Sequence, residues 1–511
     1  MIERNLIIGM ITSTDFISKI KDCYDIKLIE SKTAKRMAVW IMDYYEKYGT
    51  APGKAIEPIF FSKAKNLPED IVEDIQDILE DLSEENLENP INVDYLVDEI
   101  RTHFNEKSLI RHSEEVKALV QQGKLLEAEQ HALNYKPIVK DTNDWIDLSE
   151  EEAVIAAVDD AFKTTSQNII SFPGALGEML NDQLVREGFV AFMGSEKRGK
   201  TFWLLEFAMR AAKQKRNVAF FQAGDMTRNQ QLMRVGIYLA KKSNKEKYCG
   251  VMYEPVRDCV FNQNDTCKRE ERACDFGPFS GKSEKELRDL IEFDELKETF
   301  LENEDYVPCT DCADFAKNKW GVPWLKLIEA ATPLTNEEAK KHITDFFVKH
   351  KRRFKIATYP TDTLTVKMAK TTLDIWEKRD GFMVDVIIFD YPDIMSESSM
   401  KEERHRQNKI WMQLRALGQE KHALMIAVTQ ADADSYTRDL LTRKNFSEDK
   451  RKFAHPTAFY ALNQDHFGIE KDIGIMRINE LAGRESDTSA HRPVYVLQNL
   501  RRGRPFITSY W

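Results

Sequence analysis

Apolar residues recur at three- and four-residue spacing through the first 140 residues, and from about residue 166 they fall instead into short continuous runs. The first pattern predicts amphipathic helices. In EDIVEDIQDILEDL, Ile71, Val72, Ile75, Ile78, Leu79 and Leu82 share one helix face, and the carboxylates opposite read as a solvated surface. VDYLVDEIRTHF and EEVKALVQQGKLLEAEQHAL keep a similar period, the latter broken at Gly123 as in a helical hairpin. Residues 141–165 are polar and acidic and read as a linker, after which Pro173, Gly174 and Gly177 punctuate the entry to a second unit. Beyond them GFVAFMG, NVAFFQ, FKIATY, VDVIIFD, ALMIAVTQ, IGIMRIN and PVYVLQNL alternate with helical stretches, which predicts a mostly parallel sheet covered on both faces. The expected organisation is an all-α domain over 1–140, a linker over 141–165 and an α/β domain over 166–511.

At 511 residues the chain has the length of two or three domains, and no apolar run approaches the roughly eighteen residues a membrane helix needs. The opening MIERNLIIGMITST has neither a basic leader nor a small-residue cleavage pattern, so a cytosolic protein is expected. A net charge of −11 argues against a globally basic nucleic-acid coat protein and leaves a local basic groove open. Acids crowd the first third, whereas TRKNFSEDKRKF and NLRRGRPF lie in the last quarter.

The candidate chemistry begins at MGSEKRGKTF, where Gly194, Ser195, Glu196, Lys197, Arg198, Gly199, Lys200 and Thr201 satisfy G-x-x-x-x-G-K-[ST] between an apolar strand and a helix. Glycines let backbone N–H groups turn around the phosphates of ATP, the Lys ammonium neutralises them, and the Thr hydroxyl holds Mg²⁺. A second carboxylate is needed near that ion, and Asp390 supplies it at the end of the apolar run Val386–Phe389. The attacking water needs a base or positioner. Asp225, just past the strand that follows the P-loop helix, falls on the same sheet edge; Thr429 and Gln430, closing another strand, can touch the γ-phosphate or the water.

The order G-x-x-x-x-G-K-T, AGDM, IIFDYPDIM, LRALGQEKHALMIAVTQ, GIEKDIGIM and VLQNLRRGRP resembles the RecA-type motor domain of DnaB-like replicative helicases, phage-encoded ones in particular, over about residues 165–511. The helical first 140 residues are similar in length and character to that family's N-terminal domain. The resemblance implies a RecA-like α/β fold, an ATP hydrolase with Mg²⁺, a homohexamer moving 5′ to 3′ on single-stranded DNA, and a primase or loader docking on the N-terminal domain. It makes Asp390 the Walker B acid, Gln430 the sensor and Asp225 the catalytic carboxylate, where the family has Glu. NLRRGRP resembles the family's K-x-R-x-G-P finger, with Arg501 at the Arg position, reaching the neighbouring subunit's ATP, and Asn499 in place of Lys. The stretches 398–409 and 432–468 fall where the family places pore loops, and the second offers Arg443, Lys444, Lys450, Arg451 and Lys452 for DNA phosphates. Two other readings stay open: a recombinase or helicase loader that hydrolyses ATP without unwinding, and a non-catalytic ATP-binding scaffold.

About 75 residues, near 245–320, are not required by that pattern. They hold six of the seven cysteines, with Cys309 and Cys312 at C-x-x-C spacing. Cys309, Cys312, Cys267 and Cys274 would complete a tetrahedral Zn²⁺ set; reduced thiols and an iron–sulfur cluster are the alternatives. An insert with so few large apolar residues would draw folding energy from such a metal.

Overall fold

In this computed structural model, residues 1, 22, 65–66, 81–91, 134, 136–153, 156, 160–161, 163–167, 225, 290–292, 312–320, 331, 398, 401, 446–449 and 484–491 are not described; all others are. Internal contacts divide the chain into two units, residues 1–164 with 374–383, and residues 165–373 with 384–511. The expected linker lies largely outside the described residues, as does Leu82.

The first unit is helical: α1 (Ile2–Thr12), α2 (Thr14–Ile20), α3 (Lys32–Tyr48), α4 (Ile56–Ala64), α5 (Glu69–Glu80), α6 (Val93–Gln121) and α7 (Leu125–Leu133). Ile71, Ile75 and Ile78 on α5 are buried in one core with Leu6, Met10, Phe16, Met37, Ile41, Phe60, Ile100 and Phe104, so the predicted face is the packed one. The two segments read around VDYLVDEIRTHF and EEVKALVQ are one helix of 29 residues. Gly123, at φ 76°, then turns the chain into α7, and the hairpin forms where the sequence predicts it.

The second unit is built on a nine-stranded sheet in the order β11-β10-β9-β8-β1-β7-β6-β2-β5. Strands β1 (Phe189–Gly194), β2 (Val218–Ala223), β5 (Phe354–Tyr359), β6 (Val386–Asp390), β7 (Leu424–Gln430) and β8 (Ala458–Asn463) pair in parallel, whereas β9 (Ile475–Gly483), β10 (Val494–Asn499) and β11 (Arg504–Tyr510) add on antiparallel. The fold is α/β with a mostly parallel sheet. Every residue of β1, β2, β6 and β8 is buried, the continuous apolar signature of strands covered on both faces. Helix α8 (Gly174–Leu180) precedes β1, and α9 (Lys200–Lys213) follows it with Trp203, Leu204, Phe207, Ala208 and Ala211 in the sheet's core.

Two expectations change here. The stretch 432–468 is not one long loop, because Ala458–Asn463 is the buried strand β8 beside β1. The cysteine insert also does not stand apart as a coreless module. Its bounding strands β3 (Gly250–Cys259) and β4 (Gly321–Ala330) pair antiparallel from end to end, and Val256, Trp324, Leu325, Leu296, Phe300 and Tyr306 join Ile475, Leu497 and Tyr510 in one apolar cluster. The insert thus borrows apolar surface from the main sheet, which supplies folding energy that its own composition lacks.

Candidate nucleotide site

β1 delivers the chain to the loop 195–199, which turns into α9. Gly199 caps that helix with φ 81°, in the left-handed region where a side chain is strained. The Lys200 ammonium folds back over the loop and donates to the carbonyls of Gly194 at 2.8 Å and Ser195 at 3.0 Å. It is therefore already held at the mouth of the cradle, where phosphate oxygens would be stronger acceptors than two neutral carbonyls. The Ser195 hydroxyl donates to that of Ser435 at 2.8 Å, and the Arg198 guanidinium donates to the Asp465 carbonyl at 2.8 Å, bracing the loop from the segments after β7 and β8. Glu196 and Lys197 are exposed at its tip.

Asp390 closes β6 with 1% exposure, and Gln222 on the neighbouring β2 donates to its carbonyl at 3.1 Å. β7 lies between β6 and β1, and its register sets Gln430 opposite Gly194. Cradle, acid and Gln430 consequently share the edge where the parallel strands end, the edge at which open α/β sheets bind ligands. The half-buried Thr201 and buried Asp390 offer a hydroxyl and a carboxylate, hard oxygen donors of the kind Mg²⁺ takes. Asp225 lies outside the described residues; β2 ends at Ala223 on this same edge.

Sequence reasoning missed what lies beneath the sensor. Thr429, expected at the γ-phosphate, is fully buried and donates to Asp393 at 2.6 Å. Lys452, expected at DNA, is also fully buried: its ammonium donates to Asp393 at 3.2 Å, to Gln407 at 3.0 Å and to Thr429 at 3.0 Å. Trp411 Nε1 and the Gln430 backbone N–H complete the shell of Asp393, both at 3.3 Å. A buried carboxylate requires a cation, and Lys452 is that cation rather than a phosphate contact. The signal was Asp393 itself, three residues past Asp390 in a segment otherwise apolar. The Gln430 amide reaches the Tyr391 hydroxyl at 3.2 Å, so the sensor is tied to the residue after Asp390.

The three remaining DNA candidates stay at the surface. Lys444 is exposed. Arg443 Nε donates to the Leu481 carbonyl at 2.6 Å with its guanidinium 5.3 Å from the Phe453 ring, and Arg451 lies 3.4 Å from His405 Nδ1. Lys450 begins a short 3₁₀ turn that also carries Arg451 and Lys452.

No protein-family model and no curated protein matches the chain. Solved structures do. The chain is similar to a DnaB-like replicative helicase, described with its interactions with primase, over 98% of either chain at 12% identity and a TM-score of 0.43. A second structure, an ATPase domain solved on its own, aligns over 98% of its length and 70% of this chain, at 12% identity and a TM-score of 0.43. A KaiC-like protein from Pyrococcus horikoshii aligns over 99% of its length and 67% of this chain, at 13% identity and a TM-score of 0.33.

The finger turn sits between β10 and β11. Arg501 is half exposed and donates to Asp472 at 3.0 Å. Asn499, where the family has Lys, caps the turn by accepting from the Arg502 N–H at 3.3 Å, and its amide donates to Glu254 at 3.3 Å. Glu254 is 2% exposed and also accepts from Arg502 at 3.2 Å and Arg504 at 2.9 Å, with Lys326 3.6 Å away. Gly503, at φ 63°, leaves no room for a side chain, since a Cβ would sit 2.8 Å from the Tyr238 nitrogen. Glu254→Gln is expected to cost about 1–3 kcal/mol of stability by leaving those cations around a neutral amide, read as a lowered denaturation midpoint with nucleotide affinity unchanged.

Among the described residues, Cys267, Cys274 and Cys309 do not gather into a three-donor metal group, and Cys312 is not described. Cys309 is instead placed by its backbone N–H, which donates to the buried Asp258 at 2.7 Å. The Asp258 carboxyl is pushed up to about 6, chiefly by burial. No helix among the described residues is long and apolar enough to cross a membrane.

Proposed function

We propose that the chain is an ATP-driven DNA helicase of the DnaB-like replicative kind, working as a hexameric ring on single-stranded DNA and moving 5′ to 3′. The observation that carries this reading is the meeting of Gly194–Thr201, Asp390, Gln430 and the Arg501 turn at one sheet edge, in the chain order that the resemblance requires. Bound Mg²⁺ would draw charge from the phosphate oxygens between Thr201 and Asp390. Lys200 neutralises the β- and γ-phosphates, Asp225 accepts a proton from the attacking water, and Gln430 orients that water. Arg501, from the next subunit, stabilises charge on the phosphoryl group in flight, so turnover requires the ring. Arg443, Lys444 and Arg451 track the strand's phosphates, giving salt-dependent binding. The N-terminal unit receives a primase or loader, and the protein works in the cytoplasm, the host's if it is phage-encoded.

The Asp at position 225, one methylene shorter than the Glu of the family, favours one competing reading, a scaffold that binds ATP without turning it over. Asp225→Ala and Arg501→Ala are each expected to lower DNA-stimulated hydrolysis by at least about 10²-fold with ATP still bound. ATP binding and ring assembly without native turnover would establish the scaffold instead.

A further inference from the structure

His112 and Glu115 lie three residues apart on α6, so they share a face. His131, on α7, comes back to that face across the Gly123 turn. The donor atoms of the three side chains all lie within 4.8 Å of one another. His131 Nε2 stands 3.0 Å from one Glu115 oxygen, while the other oxygen is held by Arg111 Nε at 3.0 Å. His112 Nε2 is buried without a hydrogen-bond partner, an arrangement that a neutral imidazole tolerates only at a desolvation cost unless something else uses its lone pair. The imidazole rings lie 4.5 Å apart and Tyr135 packs on His112 at 4.8 Å, a partly dry wall on one side of the cluster.

We infer that His112, Glu115 and His131 form a binding site for a divalent transition cation, Zn²⁺ foremost, that clips α6 to α7. Two imidazole nitrogens and a carboxylate oxygen are a ligand set for borderline cations, with metal–ligand distances of about 2.0–2.2 Å that small side-chain rotations across this cluster would reach. Water completes the tetrahedron. Arg111 fixes the second Glu115 oxygen, so the carboxylate is oriented before the ion arrives. The site is independent of the cysteine insert and of the nucleotide edge. Its role is structural: the cation binds the folded hairpin and not the unfolded chain, and so stabilises the hairpin by mass action.

The test titrates Co²⁺ into the full-length chain, native and in the Cys309→Ser, His112→Asn, His131→Asn and Glu115→Gln variants, with circular dichroism checking the fold of each. A histidine–carboxylate site gives visible Co²⁺ absorption without the near-ultraviolet band of cobalt–thiolate bonds, and Zn²⁺ should displace it. The expected result is one such Co²⁺ per chain in the native protein and in Cys309→Ser, and affinity lowered by at least about 10-fold in His112→Asn and His131→Asn. Three outcomes would overturn the site: no Co²⁺ taken up by the native chain, uptake seen only with the thiolate band, or affinity unchanged in both histidine variants. A ligand variant that does not fold is replaced by Glu115→Gln, whose side chain is 44% exposed and whose loss leaves the ring stack in place.

Discussion

Lys200→Ala is expected to lower ATP turnover by about 10²–10³-fold while leaving the fold intact. The ammonium is the only part of this side chain with a task that the backbone cannot take over. In the unliganded cradle it donates to Gly194 and Ser195 carbonyls, and Gly194 O also accepts from the Ala431 N–H at 3.2 Å, so truncation leaves that carbonyl partnered. The stability cost should stay near 1 kcal/mol, roughly the ordinary net worth of such hydrogen bonds. Phosphate neutralisation has no substitute in the loop, because Arg198 is committed to the Asp465 carbonyl and Lys197 stands at the exposed tip. Turnover and the denaturation midpoint, measured on the same preparation, separate the two effects; native-like turnover in the variant would remove Lys200 from the site.

Lys452→Met should act the other way, on stability first. It leaves Asp393 buried with Thr429, Trp411 and a backbone N–H but no cation, and removing one partner of a buried pair costs about 3–5 kcal/mol. Adding Asp393→Asn to it should recover much of that loss, since the uncompensated charge goes with the second substitution. Function should not recover in step. Lys452 ties the segment carrying Arg451 to the strand that ends in Gln430, so the double variant is expected to hydrolyse ATP with a weakened response to DNA. Chemical denaturation of the single and double variants measures the first effect, and turnover with and without single-stranded DNA the second. A single variant as stable as the native chain would mean that Asp393 does not need its cation.

The local motif was legible because its residues are dictated one by one by phosphate chemistry: Gly199 in a left-handed turn, Lys200 at the mouth, Asp390 closing a strand apolar throughout. The hairpin at Gly123 and the buried face of α5 were legible for a similar reason, since one glycine and one period each admit a single geometry. Tertiary pairing was not. Nothing adjacent to Lys452 in RKNFSEDKRKF announces a carboxylate nearly sixty residues upstream, so a basic run was read as a surface. AFYALN was absorbed into a loop because its flanks are polar and basic, although as β8 it is buried at all positions. The insert looked short of apolar residues when counted alone, yet Ile475, Leu497 and Tyr510 complete its core from strands far along the chain.

The measurement closest to the central claim is ATP hydrolysis by the native protein with and without single-stranded DNA, beside Asp225→Ala and Arg501→Ala, with strand displacement on a forked duplex read from the same samples. A DNA-driven motor predicts turnover that rises with DNA, displacement of the paired strand, and the loss of both in either variant. Turnover absent from the native protein despite bound ATP, or DNA-stimulated turnover with no displacement, would contradict it.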